Sequence, residues 1–418
     1  MLLNGISIKD SVNIPMHIAI IGCGVAGVTA ARAIRQSAAP EHEVTVYTDE
    51  NHLYYPRPRL YEVLSGEKEP QQIYSYAPEW YEKLGIKVQL NKKIMSIDPT
   101  NKEITLEGGL KVGYDKLLLA NGAHAFVPPI EGIEKKGTFT LRTVEDAIAI
   151  KQYATKTREA IVIGGGLLGI EFADCLRKLG QKVEVVEIFP RLLPRQLDQD
   201  GSTILQDDLT KLGMDMQLGV KTTQILGKEA VAGVALDNGK EVSGELILIS
   251  AGVRSDIRLA ADAGIKVNKG VIVDDYLRTS ADEVYAAGDV LEFHGKVYGI
   301  IPPAIEQANV AAENMLEDDK HVYKGTIQST TLKIAGISLT SIGLVNPEGP
   351  QYEEIKKIDK QRGGYKKIVL DQGKIVGAIL LGDRKGTSTL TRLMQQETDV
   401  TKYKDNLLED NFDYTQQT

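Results

Sequence analysis

A short apolar run that stops at a Gly-x-Gly-x-x-Gly turn occurs twice in this sequence, and it narrows the fold more than any other feature. Ala160-Ile161-Val162-Ile163 runs into Gly164, Gly166 and Gly169, with Glu171 just beyond. His17-Ile18-Ala19-Ile20-Ile21 runs into Gly22, Gly24 and Gly27, with Ala26 before the last glycine. Each apolar run reads as a buried strand. The first glycine makes the tight turn, the second lets a pyrophosphate approach the backbone, and the third lets the next helix pack on the strand. That helix starts with free N–H groups and roughly half a positive charge, which suits a phosphate. One such turn can arise for packing alone. Two in one chain make chance a poor explanation.

The strands that follow each turn sharpen the expectation. Val183-Glu184-Val185-Val186-Glu187 reads as a strand ending in an acid, and Glu187 lies 23 residues after Gly164. That is near the ~20 expected of a residue that binds a ribose. A carboxylate there accepts from both ribose hydroxyls and repels a 2′-phosphate, so the spacing favours NADH over NADPH. After the first turn, Val44-Thr45-Val46-Tyr47 is the matching strand. Thr48 stands where an acid is usual, with Asp49 and Glu50 next. Thr48 or Asp49 is expected to hold the adenosine ribose of the first dinucleotide.

A length of 418 residues predicts two or three domains. Apolar content of 42% and charged content of 25% place the chain among ordinary globular proteins. A net charge of −8 with no basic block argues against a nucleic-acid groove or an anionic-membrane patch. The longest apolar runs, such as Leu246-Ile247-Leu248-Ile249, fall well short of the ~20 residues of a membrane span. The first fifteen residues, with Lys9 and Asp10 in their middle, lack the apolar core of a signal peptide and read as a mobile leader. The 2 cysteines are Cys23, inside the first turn, and Cys175, on the helix after the second. They have no reason to pair, form no redox motif and fit a reducing cytoplasm. The 6 histidines are scattered without a ligand pattern, so no metal site is expected.

Taken in order, the chain predicts a helix over 26–35, then a dense run of Tyr, Pro and Arg over 54–60. That run suits either a rigid loop against a planar, partly anionic ligand or a proline-stiffened surface loop. A helix over 80–84 stops at Gly85. Short strands follow at 88–90 and 94–98, then a hairpin through 104–112. Tyr114-Asp115-Lys116-Leu117-Leu118-Leu119 is a buried strand meeting a small-residue turn, Ala120-Asn121-Gly122. A helix opening at 141–147 marks entry to the second nucleotide domain, which closes on a strand into Gly252. Val284-Tyr285-Ala286-Ala287-Gly288-Asp289 reads as a strand ending at Asp289. Pro302 and Pro303 precede a helix from Ile305 to about Leu316 and lie in or just before its first turn. The last ninety or so residues change character, with a hairpin from 365–370 and 375–381, a short helix around 390–396 and a polar tail.

By these residues the chain resembles the FAD-dependent pyridine-nucleotide reductases. The carriers are the Gly22 to Gly27 turn, Ala120-Asn121-Gly122 where that family has Ala-Thr-Gly, the Gly164 to Glu171 stretch, and 284–289. Within the superfamily, Tyr55-Pro56-Arg57-Pro58-Arg59-Leu60, Arg195-Gln196-Leu197-Asp198 and Leu332-Lys333-Ile334-Ala335-Gly336-Ile337 look like NADH:rubredoxin oxidoreductases and the flavin region of the nitrite reductase large subunit. The resemblance implies an α/β fold with two Rossmann-like domains, for FAD and NAD, the second inserted in the first, and a small α+β C-terminal domain. The expected divisions are 1–142 and 258–325 for FAD, 143–257 for NAD, and 326–418 for the last domain and tail.

The same resemblance implies roles. Asp289, after Gly288, would bind the ribityl chain of FAD, and Ile94 would face its adenine through the backbone. Arg57 and Pro58 would line the isoalloxazine ring, with Ile301 and Lys333 on its pyrimidine side. Glu171 would sit near flavin and nicotinamide and pair with Arg57. The disulfide reductases of the superfamily need cysteines beside the flavin and a His-x-x-x-x-Glu pair near the C-terminus. This chain has no cysteine near 54–59 and no histidine after His321. Electrons are therefore expected to leave the flavin directly. The expected acceptor is a small iron–sulfur or rubredoxin-type carrier, served by a monomer or homodimer. The alternatives are a reductase subunit of a larger complex docking through the tail after Gln396, an NADH oxidase, and a redox-sensing flavoprotein.

Overall fold

The computed structural model describes residues 15–37, 41–334, 336–359 and 364–409, in two compact units. The first comprises the described part of 1–54 with 75–122 and 255–324. Five strands form its sheet in the order Val284–Ala286, Lys116–Leu119, His17–Ile21, Glu43–Tyr47, Ile86–Gln89, and every pairing is parallel. Counted along the chain this is the 3-2-1-4-5 order of a doubly wound sheet. Parallel sheets are covered on both faces, which is why the central strand is apolar at consecutive positions and buried from Ile18 to Ile21. Ala30, Ala31 and Ile34 of the helix Val25–Gln36 share one core with Ala304, Ala308 and Ala311 of the long helix Ile301–Leu316. Small side chains on both faces let these helices approach closely.

The second unit comprises 55–74, 123–254 and the described part of 325–418. Its parallel sheet has the order Met214–Leu218, Lys182–Glu187, Glu159–Ile163, Leu246–Ile249, Thr138–Thr140. The two sheets repeat one plan. In each, a three-stranded antiparallel sheet (Ile94–Asp98, Glu103–Leu106, Lys111–Gly113; Thr222–Leu226, Gly233–Leu236, Glu241–Ser243) comes just before the strand that pairs the central strand on its other side.

The C-terminal part is a five-stranded antiparallel sheet, in the order Ser329–Ile334, Ile337–Gly343, Lys374–Leu381, Gly364–Asp371, Tyr352–Asp359. Strand alternation gives it two apolar faces. Ile368, Leu370, Ala378 and Leu380 pack under Leu390, Leu393 and Met394 of the helix Thr387–Gln395. Leu339, Tyr365, Ile379 and Leu381 join the core of the second unit's parallel sheet, with Leu192, Leu193, Leu197 and Leu205.

Four local expectations differ from this arrangement. The last sheet has five strands, where the sequence reading found only the 365–370 and 375–381 hairpin. Tyr352–Asp359 was hidden because its outward face is polar, and Ile337–Gly343 because it buries the polar Thr340 and Ser341 among its apolar residues. The long helix begins at Ile301, with Pro302 and Pro303 inside its first turn, where a missing N–H costs nothing. The strand toward Asp289 stops at Ala286, and Gly288–Val290 is a 3-10 turn. Arg57–Arg59 is likewise a 3-10 turn running into the helix Leu60–Leu64, with Tyr55 and Leu60 buried in the second unit. The polar tail packs as far as Leu407 and Leu408, both buried. Lys9, Asp10, Ala335 and the residues after 409 lie outside the described residues. Among the described residues no helix is long and apolar enough to cross a membrane, and no group of His, Cys, Asp and Glu could hold a metal.

Asn314, fully buried near the end of the long helix, binds three backbone groups with its side chain. It donates to the Tyr276 and His321 carbonyls at 2.9 and 2.8 Å and accepts from the His321 N–H at 2.9 Å. Replacing it with alanine strands all three, at about 1–3 kcal/mol each before relaxation. Asn314→Ala is therefore expected to lower stability by about 3 kcal/mol in urea denaturation, and an unchanged midpoint would contradict the accounting.

Candidate functional site

The two glycine turns share one geometry. A Cβ on Gly22 would lie 2.2 Å from the Ala120 carbonyl oxygen, and one on Gly164 would lie 2.3 Å from that of Ser250. Both glycines have positive φ, +112° and +120°. A Cβ on Gly27 would fall 1.9 Å from the Gly22 carbonyl oxygen, and one on Gly169 would fall 2.0 Å from that of Gly164. Gly24 and Gly166 differ: a Cβ on either would meet nothing within 4 Å. These middle glycines are the N-caps of the helices Val25–Gln36 and Leu167–Lys178, with no side-chain cap and no acid in the first turn. Uncapped N–H groups beneath open space, at helices of 12 residues each, fit a dinucleotide pyrophosphate.

The acids downstream sit in equivalent registers. The Gly22 N–H donates to the Tyr47 carbonyl and the Gly164 N–H to the Val186 carbonyl, both at 2.8 Å. Thr48 thus occupies the place that Glu187 holds in the second unit. Thr48 is buried, and its hydroxyl accepts from the Glu50 N–H at 3.3 Å, while Asp49 is exposed. Glu187 is also buried, and both its oxygens are fixed. Oε2 accepts from the Gly165 N–H at 2.5 Å and Oε1 from the Phe189 N–H at 2.8 Å. Each oxygen keeps a lone pair for a ribose hydroxyl.

The other residues implicated in the first unit are grouped around its turn. Ala26 is buried, and a Cβ on Gly288 would come 2.9 Å from its own Cβ, so these two serve close packing. Asn121 donates to the Asp256 carbonyl at 2.7 Å, and Gly122 accepts from the Asp256 N–H at 2.9 Å. Ala120 donates to the Ile21 carbonyl, Asp289 accepts through its carbonyl from the Ser255 hydroxyl at 2.6 Å, and Ile94 is buried in the same core. Ile301 opens the long helix. In the second unit Gly252, at φ +98°, faces open space.

Glu171 lies in the first turn and a half of its helix. Burial pushes its carboxyl up to about 7, against a partial pull downward from the Lys333 backbone N–H. Arg57 is not among the groups acting on it. The Arg57 guanidinium donates to the Tyr55 hydroxyl and to the Arg142 carbonyl, the latter at 2.9 Å, and lies over the Tyr55 ring. Pro58 is exposed beside it, and the Lys333 side chain is exposed on an edge strand.

Two features escaped the sequence reading. Gly165 completes three glycines in a row where the turn needs two. Its Cβ would press on Leu192 at 2.8 Å and on the Glu187 carboxylate at 3.2 Å, so the extra glycine was itself the signal. Asp198, in the Arg195-Gln196-Leu197-Asp198 run, caps the helix Gln199–Lys211 and accepts from the Tyr365 hydroxyl at 2.6 Å. Lys356 and the buried Lys367 also reach it, at 3.1 and 3.2 Å. Burial would raise its pKa, but the Tyr365 hydroxyl, the Gly201 N–H and the lysines hold it down at about 2. No local pattern announces partners more than 150 residues away.

Comparison with known proteins agrees with this geometry. The family model described as pyridine nucleotide-disulphide oxidoreductase matches residues 16–314, and that of the rubredoxin NAD+ reductase C-terminal domain matches 329–398. The chain belongs to the pyridine nucleotide-disulphide oxidoreductase family, and membership implies FAD and NAD(H) as cofactors. It is 36% identical over 386 residues to a nitrite reductase [NAD(P)H] of Bacillus subtilis, covering 92% of this chain and 48% of that protein. It is 33% identical over 371 residues to the NADH-rubredoxin oxidoreductase of Clostridium acetobutylicum, covering 88% and 91%. The crystal structure of NADH:rubredoxin oxidoreductase from that organism superposes with a TM-score of 0.75 at 30% identity, over 92% of this chain and 96% of the other. The chain thus spans about half the length of the nitrite reductase it matches.

Glu171 supplies a pH test. With the folded pKa raised above the ordinary 4.5, its contribution is fully present below pH 4.5 and is lost as pH rises through about 7. Denaturation of the wild type and Glu171→Gln at pH 5 and pH 8 should show the variant gaining on the wild type at the higher pH, on the order of 2 kcal/mol. An equal difference at both pH values would mean the carboxyl is not perturbed.

Proposed function

We propose that this chain is an FAD-dependent NADH oxidoreductase that passes electrons to a small iron–sulfur or rubredoxin-type protein without a thiol relay. The observation that carries the acceptor class is the rubredoxin NAD+ reductase C-terminal domain over 329–398, joined to two dinucleotide turns. The chain's two cysteines form no disulfide, and neither belongs to a Cys-x-x-Cys or similar pair. They suit a reducing compartment, read here as the cytoplasm.

FAD, when bound, supplies the hydride acceptor and can release its electrons one at a time. The protein's own part is position and charge. Gly24 and the N-terminus of its helix take the FAD pyrophosphate, with Thr48 or Asp49 toward the ribose, and Asp289 and Ile94 along the remainder of the ligand. Gly166 and its helix take the NADH pyrophosphate, and Glu187 takes the adenosine ribose hydroxyls. Hydride transfer needs close approach and alignment more than acid or base help. Lys333 or Arg57 would supply positive charge that stabilises the reduced flavin. Glu171, with its carboxyl near neutrality, can hold or release a proton at working pH.

A second reading is favoured by the 36% identity to nitrite reductase over nearly the whole chain. There the same reductase chemistry would serve a cluster in a larger assembly. Rapid mixing separates the two: the enzyme, first reduced by NADH without oxygen, is offered rubredoxin, ferredoxin and air in parallel. Fast reoxidation by rubredoxin supports the leading reading. Slow reoxidation by every carrier supports the assembly, and fast reoxidation by air alone supports an oxidase.

Nucleotide choice tests the Glu187 assignment. Glu187→Arg is expected to raise the NADH KM by about tenfold or more while improving kcat/KM for NADPH, because a repulsive charge becomes an attractive one. Unchanged kinetics with both nucleotides would refute the assignment.

A further inference from the structure

The chain between Glu187 and Asp198 is fixed at both ends by hydrogen bonds, and its far anchors belong to the C-terminal sheet and the loop after its strand Ile337–Gly343. At the near end, the Glu187 carboxylate holds the Gly165 and Phe189 N–H groups. The Leu193 N–H returns to the Gly165 carbonyl at 3.2 Å, with Leu193 itself at a φ of +48°. Leu192, Leu193 and Leu197 are fully buried, so this strap is part of the core. At the far end, Asn346 sends one side-chain amide to two of its carbonyls, those of Pro194 and Leu197, both at 3.0 Å. One residue on, Asp198 is gripped by Tyr365 and the buried Lys367. Gly201 leaves room for this grip, since a Cβ there would lie 3.1 Å from the Tyr365 ring.

The strap's shape therefore depends on the C-terminal sheet, and the place of Glu187 and Gly165 depends on the strap. A left-handed leucine is not a conformation the strap would keep by itself. We propose that Asn346, in the loop after the strand Ile337–Gly343, and Tyr365, on the strand Gly364–Asp371, are positioning residues for the nicotinamide dinucleotide, acting through the 188–198 strap on the Glu187 carboxylate and the Gly165 turn. The inference rests on the reading of Glu187 as the adenosine-ribose acceptor. It gives the C-terminal sheet a second task besides any contact with an electron acceptor.

A role in position has a signature that a general structural role lacks. Loosening the strap should weaken the adenosine half of NADH alone. Reduced nicotinamide mononucleotide lacks that half and should be indifferent. Steady-state and rapid-mixing kinetics of the flavin-loaded enzyme would compare both donors for the wild type, Asn346→Ala, Tyr365→Phe and Glu187→Ala. The expected result is a rise of about tenfold in the NADH KM for Asn346→Ala and a smaller rise for Tyr365→Phe. The limiting rate of flavin reduction and the mononucleotide KM should stay within about twofold. Tyr365→Phe keeps the ring and its packing, so it remains informative if Asn346→Ala does not fold. The inference is overturned if Glu187→Ala raises the NADH KM while the other two leave it alone, or if they shift both donors equally. If Glu187→Ala itself leaves the NADH KM unchanged, the reading of Glu187 falls first and the inference with it.

Discussion

A carbonyl oxygen in each glycine turn presses so closely on the following helix that no side chain fits between them. Gly27 meets the Gly22 carbonyl, and Gly169 meets that of Gly164, each closer than a Cβ could stand. This contact seats the helix on the sheet and aims its first N–H groups past the end of the central strand. Because the caps are Gly24 and Gly166, those groups have no side chain to satisfy them. A helix start left this way is open to water or to a ligand.

The repeat is strict in the backbone and relaxed in the side chains. Thr48 and Glu187 hold the same register, yet only Glu187 offers a charge. Two backbone N–H groups hold that carboxylate in one orientation. The Glu187 side is also the one that the C-terminal sheet supports. One core runs from the strap leucines into Tyr365 and Leu381, so the last domain belongs energetically to the nucleotide sheet of its unit.

Much of this was legible in the sequence, because glycines required by steric contact leave a pattern that side-chain chemistry does not blur. Both turns, the central strands and the Glu187 position follow from local spacing alone. The C-terminal sheet was only half visible. The strands 365–370 and 375–381 are buried on both faces and read as apolar runs, whereas Tyr352–Asp359 carries charge outward and looks like a loop. Burial of Glu171 and the convergence of Tyr365 and Lys367 on Asp198 are tertiary facts with no local sign. The prolines at 302 and 303 misled the boundary by four residues, since proline is disfavoured in a helix interior but welcome in its first turn.

The central claim is that reducing equivalents pass from one dinucleotide to another and leave with no thiol relay. It is tested most directly by anaerobic titration of the flavin-loaded protein with NADH, counting equivalents to full bleaching. A flavin alone takes up two electrons, so the account predicts a sharp end point at one NADH per chain. An end point at two per chain would reveal a second redox group, and a protein that stays colourless after reconstitution with FAD would remove the first.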